Sequence, residues 1–192
     1  MAPGDTVAVV GATGAGKSTL INILSRFYEV ESGNVTLDDV KIEEYDRSWL
    51  RKQIGVVLQD VFLFADSIYN NITLWDTSIS EEEVIAAAKK IGVHNFISSL
   101  PEGYHFNVKE RGGMLSTGQR QLIAFLRAYI TQPKILVLDE ATSSIDTHAE
   151  KLIQKATKEI TKGKTSLIIA HRLATIKRAN SIIVLDKGRI VE

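Results

Sequence analysis

The sequence Gly11-Ala-Thr-Gly14-Ala-Gly16-Lys17-Ser18 follows an apolar run, Thr6 to Val10, and fits the pattern G-x-x-x-x-G-K-[ST] position for position. In such a loop, glycines allow successive backbone N–H groups to converge on phosphate oxygens. Lys17 would add a mobile positive charge, and the Ser18 hydroxyl would reach Mg²⁺. The helix that follows would point its positive end at the same anion. These residues predict binding of nucleotide phosphates together with magnesium.

Two carboxylates, Asp139 and Glu140, follow the apolar run Ile135-Leu-Val-Leu138. An open α/β sheet places its ligand chemistry at the carboxyl ends of its strands. There, Asp139 could hold the metal through a water, and Glu140 could polarise an attacking water. Taken alone, such a pair could equally be a solvated strand end. Combined with the phosphate-binding pattern, it favours hydrolysis of a phosphate bond.

A third motif is Leu115-Ser-Thr-Gly-Gln119-Arg-Gln. Ser116 and Gln119 have the spacing of a capping box, in which each side chain bonds to the backbone of the other residue at the start of a helix. The spacing predicts a helix that begins at Ser116. A helix start of this kind can serve structure alone, and it can also bind an anion.

The elements that must position these residues belong to a chain of 192 residues, enough for one compact α/β domain. Lys plus Arg and Asp plus Glu balance at 23 each, so no nucleic-acid partner is expected. The chain has no cysteine, which excludes disulfides and thiolate metal sites. It lacks both an apolar run near the roughly 20 residues of a membrane helix and a signal-peptide pattern, so we expect a soluble piece in the cytosol.

Short β-branched runs without polar alternation are typical of strands buried on both faces of a parallel sheet. Helical stretches separate them, which indicates α/β layers. Besides the runs from Thr6 to Val10 and from Ile135 to Leu138, the predicted strands are 54–58, 167–170 and 182–185.

Three further predictions concern helical segments. Ser80 with Glu83 predicts a capped helix that reaches about Ile91. The stretch from Gln59 to about Trp75 most resembles a separate helical insertion. The first helix should start in the phosphate loop and direct inward the apolar side chains of Leu20, Ile21, Leu24 and Phe27.

The motif at Ser116 resembles the signature of the ATP-binding cassette (ABC) ATPases, usually Leu-Ser-Gly-Gly-Gln, with Thr117 in place of the first glycine. Other motifs then match the family in order, over essentially the whole chain. Gln59 resembles the Q-loop glutamine that contacts Mg²⁺ and the water, and Asp146, in Ser144-Ile-Asp146, resembles the D-loop residue at the dimer interface. His171 resembles the switch histidine, and Thr19 the position that contacts the α- and β-phosphates.

The resemblance implies an α/β P-loop NTPase fold, a mostly parallel sheet flanked by helices. One domain would span residues 1–192, with a helical insertion of the ABC ATPase type at about 60–130 that includes the signature. Family members carry an antiparallel β region before the phosphate loop, with an aromatic residue that stacks on adenine. We expect most of this region to be missing ahead of Pro3, and further helices to be missing after Glu192. The chain would then be a piece of a longer protein.

Three stretches resemble exporters within the family: Glu110-Arg-Gly-Gly113, similar to the exporter X-loop, Leu100-Pro-Glu-Gly-Tyr104 and Ser67-Ile-Tyr-Asn-Asn-Ile72. In the family, the region from Gln59 to about Trp75 forms a groove for a coupling helix of the membrane domain. The candidate contacts with that helix are Phe62, Phe64, Tyr69 and Trp75, although most buried aromatic side chains belong to a core.

The family mechanism stacks two such domains head to tail, so that ATP on one is closed by the signature of the other. Partners would be a second nucleotide-binding domain, identical or not, and transmembrane coupling helices at the cytoplasmic face of a membrane; ATP and Mg²⁺ would be bound. The implied residues are, for catalysis, Glu140, His171 and Gln59; for the nucleotide, Gly11, Gly14, Gly16, Lys17, Ser18 and Thr19; for the metal, Ser18, Gln59 and Asp139; and for the partner's nucleotide and the interface, Ser116, Gly118, Gln119 and Asp146.

Other interpretations stay open at this point. An importer ATPase subunit shares every motif except the X-loop, and a nucleotide-binding module that is inactive in isolation shares them all. ABC ATPases of DNA repair or chromosome organisation usually insert long coiled-coil heptads, which this sequence lacks. A nucleotide kinase would need neither the signature nor Glu140 in this arrangement.

Overall fold

A computed structural model describes residues 1–139, 147–170 and 173–192. The elements in chain order are β1 (Thr6–Gly11), α1 (Lys17–Leu24), β2 (Thr36–Leu37), β3 (Val40–Lys41), α2 (Arg47–Gln53), β4 (Ile54–Val57), α3 (Ile68–Thr73), α4 (Glu81–Ile91), α5 (His94–Ser98), α6 (Thr117–Ile130), β5 (Ile135–Asp139), α7 (Thr147–Thr161), β6 (Thr165–Ile169), α8 (Leu173–Ile176), β7 (Ser181–Asp186) and β8 (Arg189–Ile190).

The described residues form two compact units. The first comprises 1–56, 133–139, 164–170 and 173–192, and the second comprises 57–132 and 147–163. The single domain over 1–192 and the helical insertion at about 60–130 stay predictions. Among the described residues, no helix is both long and apolar enough to cross a bilayer.

A six-stranded sheet has the order β4-β5-β6-β1-β7-β8. β1 pairs in parallel with β6 on one side and with β7 on the other, and β5 pairs in parallel with β6. A short strand, β8, pairs antiparallel with β7. The predicted mostly parallel sheet with flanking helices is confirmed.

The core of the first unit lies where the apolar strands face helix α1. Strand side chains without polar alternation can be buried on both faces of a parallel sheet, as the sequence predicts for the central strands. Ala8 and Val9 of β1 are both fully buried. Buried strand side chains form one apolar cluster with Ile21 of α1; they are Val7, Val9, Val137, Leu167 and Ile169.

Two packing predictions were wrong. Phe27 does not face inward but is 63% exposed, because α1 ends at Leu24 and Ser25 is its C-terminal cap. The Arg51 guanidinium lies 4.6 Å from the centre of the Phe27 ring. Strand β7 is not buried on both faces, since Ile182 is 47% exposed.

The second unit is helical, and α6 packs against α3, α4 and α7. Its apolar residues Leu122, Ile123 and Leu126 are buried. The predicted capping box of Ser80 and Glu83 is present at the start of α4. That helix ends at Ile91, as predicted, and is followed by Gly92 in the left-handed conformation.

Candidate phosphate-binding site

The phosphate-binding pattern forms a loop between β1 and α1. Gly11 is the last residue of β1, and Lys17 is the first residue of α1. Gly14 and Gly16 have φ angles of 83° and 103°. Glycine adopts such positive angles without steric cost, which explains its place at both positions. The predicted helix start in the loop is confirmed.

The amino end of α1 presents N–H groups that the described part of the chain leaves unpaired. Gly16 is the N-cap and supplies no side-chain cap, and the first turn holds no acidic residue. The backbone N–H groups of residues 16 to 19 have no acceptor among the described residues. Ser18 and Thr19 are exposed there. Unpaired N–H groups at the positive end of a helix dipole form a site for a phosphate group.

Lys17 supplies the cation of this site. Its Nζ donates to the carbonyl oxygens of Gly11, at 2.8 Å, and of Ala12, at 2.9 Å. The side chain therefore folds back across the loop instead of extending into solvent. A loop that combines this ammonium group with the N–H groups of α1 attracts a multiply charged anion.

Asp139 lies at the carboxyl end of β5, as predicted. It is in register with Ile169 of β6, which is in register with Val9 of β1. With strands about 4.8 Å apart, Asp139 is about 10 Å across the sheet from Val9, at the edge where β1 runs into the loop. The oxygen donors Asp139 and Ser18 suit Mg²⁺, which usually keeps waters and binds through one or two carboxylates plus substrate phosphates.

The signature motif lies in the second unit, at the start of α6. The predicted capping box is present, because Ser116 N donates to Gln119 Oε1 at 2.9 Å and Gln119 N donates to Ser116 Oγ at 3.2 Å. Gly118 is buried, whereas Ser116 is exposed. The sequence did not single out Arg120, whose guanidinium donates to Leu115 O and to Thr117 Oγ1. The spacing of three residues between Thr117 and Arg120 on a predicted helix could have indicated this contact.

Gln59 also lies in the second unit, after β4, and is exposed. Three of the four aromatic side chains predicted to contact a coupling helix are exposed, and they touch one another edge to face: Phe62 on Phe64, and Phe64 on Trp75. Tyr69 is half-buried and donates through its hydroxyl to Ile79 O. We call Phe62, Phe64 and Trp75 the aromatic surface.

Two side chains of the second unit, the buried Asn71 and the half-buried Arg127, hold the backbone of the aromatic surface. The Asn71 amide accepts from Phe64 N at 2.8 Å and donates to Phe64 O at 3.0 Å. The Arg127 guanidinium donates to Asn71 O at 2.7 Å and to Phe62 O at 3.2 Å. Burial lowers the pKa of Arg127. The sequence did not identify this pair.

Three predicted site residues, Glu140, Asp146 and His171, lie outside the described residues. Their roles, like those of the other predicted site residues, stay predictions. The geometry so far consists of a phosphate-binding loop with a carboxylate at the same sheet edge in one unit, and of a capped helix start in the other.

Comparison with known proteins agrees with this geometry. Residues 1–143 match the family described as ABC transporter. The protein exp8 of Streptococcus pneumoniae, named as an ABC transporter ATP-binding protein, is 52% identical over 98% of this chain and 32% of its own length. The fatty acid ABC transporter ATP-binding/permease protein of Mycobacterium bovis is 48% identical over 99% of this chain and 30% of its own length.

A solved structure has the same fold. A bacterial Atm1-family ABC exporter with ATP bound superposes with a TM-score of 0.90 at 42% identity, over 100% of this chain and 33% of that one. The chain thus spans about a third of the length of these relatives. The family match and the shared fold together show that the chain belongs to the ABC transporter family, as an ATP-binding domain of the ATPase type.

Proposed function

We propose that this chain binds and hydrolyses Mg-ATP and drives export by the transporter to which it belongs. The observation that carries the proposal is the start of α1, where the N–H groups of residues 16 to 19 have no acceptor among the described residues and Lys17 folds back across the same loop. A nucleotide triphosphate provides the charge and the oxygen acceptors that such a position attracts.

Within the site, residues of this chain divide the work. Lys17 and the α1 N–H groups bind the β- and γ-phosphates and neutralise the charge that develops as the bond between them breaks. Ser18, Asp139 and Gln59 would hold a magnesium ion, and that ion would further neutralise the charge on the phosphate oxygens. Glu140 accepts a proton from the attacking water, and His171 contacts the γ-phosphate.

We propose that two such domains pair head to tail, with each site completed by its partner. Ser116, Gly118 and Gln119 would then contact the nucleotide held by the partner's loop, and Asp146 would lie at the interface. The exposed Ser116 at the positive end of α6 supports this assignment, since a second helix start can bind phosphate oxygens from the opposite side.

Export is favoured over import by two observations. The Mycobacterium bovis relative is named as both an ATP-binding and a permease protein, and the structural neighbour is an exporter. The aromatic surface is exposed and suits contact with an apolar coupling helix from a membrane domain. We place it against the transmembrane part of the same transporter, at the cytoplasmic face of the membrane.

The test is Mg-ATP hydrolysis measured against protein concentration, for the wild-type chain and for the Glu140→Gln and Lys17→Ala variants. We expect a rate that rises with the square of concentration while dimers are scarce, and at least about a hundredfold loss in each variant. Hydrolysis that is linear in concentration would contradict the paired site. ATP binding that depends on Lys17 without any turnover would instead support a nucleotide-binding module.

A further inference from the structure

The phosphate-binding loop packs against an element that none of the motifs includes. Strands β7 and β8 are antiparallel, with Asp186 in register with Arg189. Lys187 and Gly188 form the connection between them and have φ angles of 45° and 77°. Two consecutive residues of positive φ are the mark of the tight hairpin turns that match the twist of the strands. We call residues 181–190 the β7–β8 hairpin.

The hairpin contacts the loop at both of its ends. At the strand end, Gly11 is in register with Leu185, and a Cβ atom on Gly11 would overlap the Leu185 carbonyl oxygen. At the helix end, Gly188 N donates to the carbonyl oxygen of Ala15 at 3.0 Å. A Cβ atom built on Gly16 would lie 3.6 Å from the Cα atom of Gly188. All of these residues belong to the first unit.

The hydrogen bond to Ala15 has a consequence for the neighbouring peptide group. In a trans peptide, the C=O of one residue and the N–H of the next point in opposite directions within one plane. When Gly188 holds the Ala15 carbonyl toward the hairpin, the Gly16 N–H is therefore directed away from it. The Gly16 N–H is the first of the N–H groups that have no acceptor among the described residues.

We propose that Gly188 is a positioning residue for the phosphate-binding loop, and that it acts through Ala15 to orient the Gly16 N–H toward bound phosphate. The inference rests on the proposed binding of Mg-ATP by that loop. Gly188 would not touch the nucleotide itself. Its contribution comes from a left-handed backbone conformation that directs its N–H at the Ala15 carbonyl oxygen.

The chain offers a matched control for this residue. A Cβ atom added to Gly188 meets no atom within 4 Å, so the effect of a side chain comes from the positive φ and not from a clash. Gly33 belongs to the same unit, has a φ of 85°, and also has open space around an added Cβ atom. Substitution at Gly33 therefore introduces the same backbone strain without a hydrogen bond to the phosphate-binding loop.

The experiment compares Gly188→Ala and Gly33→Ala in the full-length transporter, with KM for Mg-ATP, kcat and the melting temperature without nucleotide as readouts. Gly188→Ala should raise KM about tenfold and change kcat by less than about threefold, because the N–H bonds to phosphate in the ground state as well as in the transition state. Gly33→Ala should lower the melting temperature similarly and leave KM unchanged. Partial unfolding alone would reduce kcat per total protein without moving KM.

Gly188→Asn provides the conservative variant, since asparagine tolerates the left-handed region better than alanine does. The KM of Gly188→Asn should lie between those of the wild type and Gly188→Ala. If the alanine variant fails to accumulate, Gly188→Asn is compared with the wild type instead. A wild-type KM in every Gly188 variant, or an equal rise of KM in the Gly33 variant, would overturn the inference while leaving the proposed function intact. If the wild-type transporter does not bind ATP through Lys17, both proposals are wrong.

Discussion

At the scale of single residues, Asp66 shows how local contacts alter a titration. Its carboxylate accepts from Ser67 N at 2.6 Å, from Asn70 Nδ2 at 3.0 Å and from Trp75 Nε1 at 3.0 Å. The Ser67 N–H, followed by the Asn70 amide, lowers the pKa of Asp66 below its ordinary value of 3.8. These donors favour the charged form and hold Trp75 of the aromatic surface in place.

The lowered pKa of Asp66 gives a pH dependence whose sign is defined. A carboxyl group with a lower pKa in the folded state stabilises the fold above its unfolded pKa, and this contribution is lost as pH falls through the folded pKa. Asp66→Asn should therefore destabilise the chain at neutral pH, and the difference from the wild type should shrink below about pH 4. Urea unfolding across this pH range measures it. Asp60→Asn, at an exposed position in the same loop, is the control; equal pH profiles for the two variants would contradict the assignment.

Residue-scale prediction from the sequence succeeded where a motif is continuous along the chain. Lys17 and Ser18 could be named because neighbouring residues define the loop that holds them. Asn71 and Arg127 could not, because their contact joins positions 56 residues apart. No local spacing reports such a pair. The role of Gly188 could not be predicted for the same reason, since its partner Ala15 lies near the other end of the chain.

At the scale of elements, the capped starts of α4 and α6 form a matched pair. Ser80 and Ser116 each accept from the backbone N–H three residues on, and each helix has a complete capping box. Alanine at either position should therefore lower the free energy of unfolding by about 1 kcal/mol. In addition, Ser116→Ala should reduce ATP turnover by at least about tenfold, because its hydroxyl is proposed to contact the partner's nucleotide.

Thermal unfolding and ATPase assays on the two variants separate structure from function at these helix starts. Ser80→Ala should leave turnover unchanged at temperatures where both proteins are folded. If Ser80→Ala and Ser116→Ala show equal turnover, Ser116 acts only as a helix cap.

The segment that carries the aromatic surface depends on an adjacent pair of asparagines in unequal ways. Asn71 is fully buried, and its amide bonds to Phe64 N, Phe64 O and Ser67 O. Asn71→Ala should lower the free energy of unfolding by about 2–4 kcal/mol, because it removes the three hydrogen bonds of a fully buried amide and leaves partly buried backbone groups without a partner. Asn70 is only half-buried and donates to Asp66, so Asn70→Ala should cost less than about 1 kcal/mol. Urea unfolding of both variants measures the difference, and equal losses would argue against the role of Asn71.

Which elements could be predicted depends on their length and pattern. The central strands were identified because four or five consecutive β-branched and aliphatic residues leave few alternatives. The short elements α5, α8 and β8 were not predicted, since two to five residues are too few for a period to show. Phe27 was misplaced for a related reason: nothing in the apolar spacing indicated that α1 would end at Leu24.

At the scale of the whole molecule, the proposed dimer forms each site from the phosphate-binding loop of one chain and the signature of its partner. The phosphate-binding loop lies in the first unit, within residues 1–56, and the signature lies in the second unit, within residues 57–132. A head-to-tail pair of identical chains has a two-fold axis, so each loop meets the partner's signature and two equivalent sites form. Loss of Lys17 and loss of Ser116 then disable different halves of a site.

This symmetry makes complementation the sharpest test of the assembly. Lys17→Ala and Ser116→Ala chains should each be nearly inactive alone. When they are mixed in equal amounts, half of the dimers contain one of each, and one of the two sites in every mixed dimer pairs a wild-type loop with a wild-type signature. Activity should therefore recover to about a quarter of the wild-type rate. A chain with both substitutions, mixed with Lys17→Ala, forms no intact site and is the control. If both mixtures stay inactive although dimers form, each chain must complete its own site, and the head-to-tail arrangement is wrong.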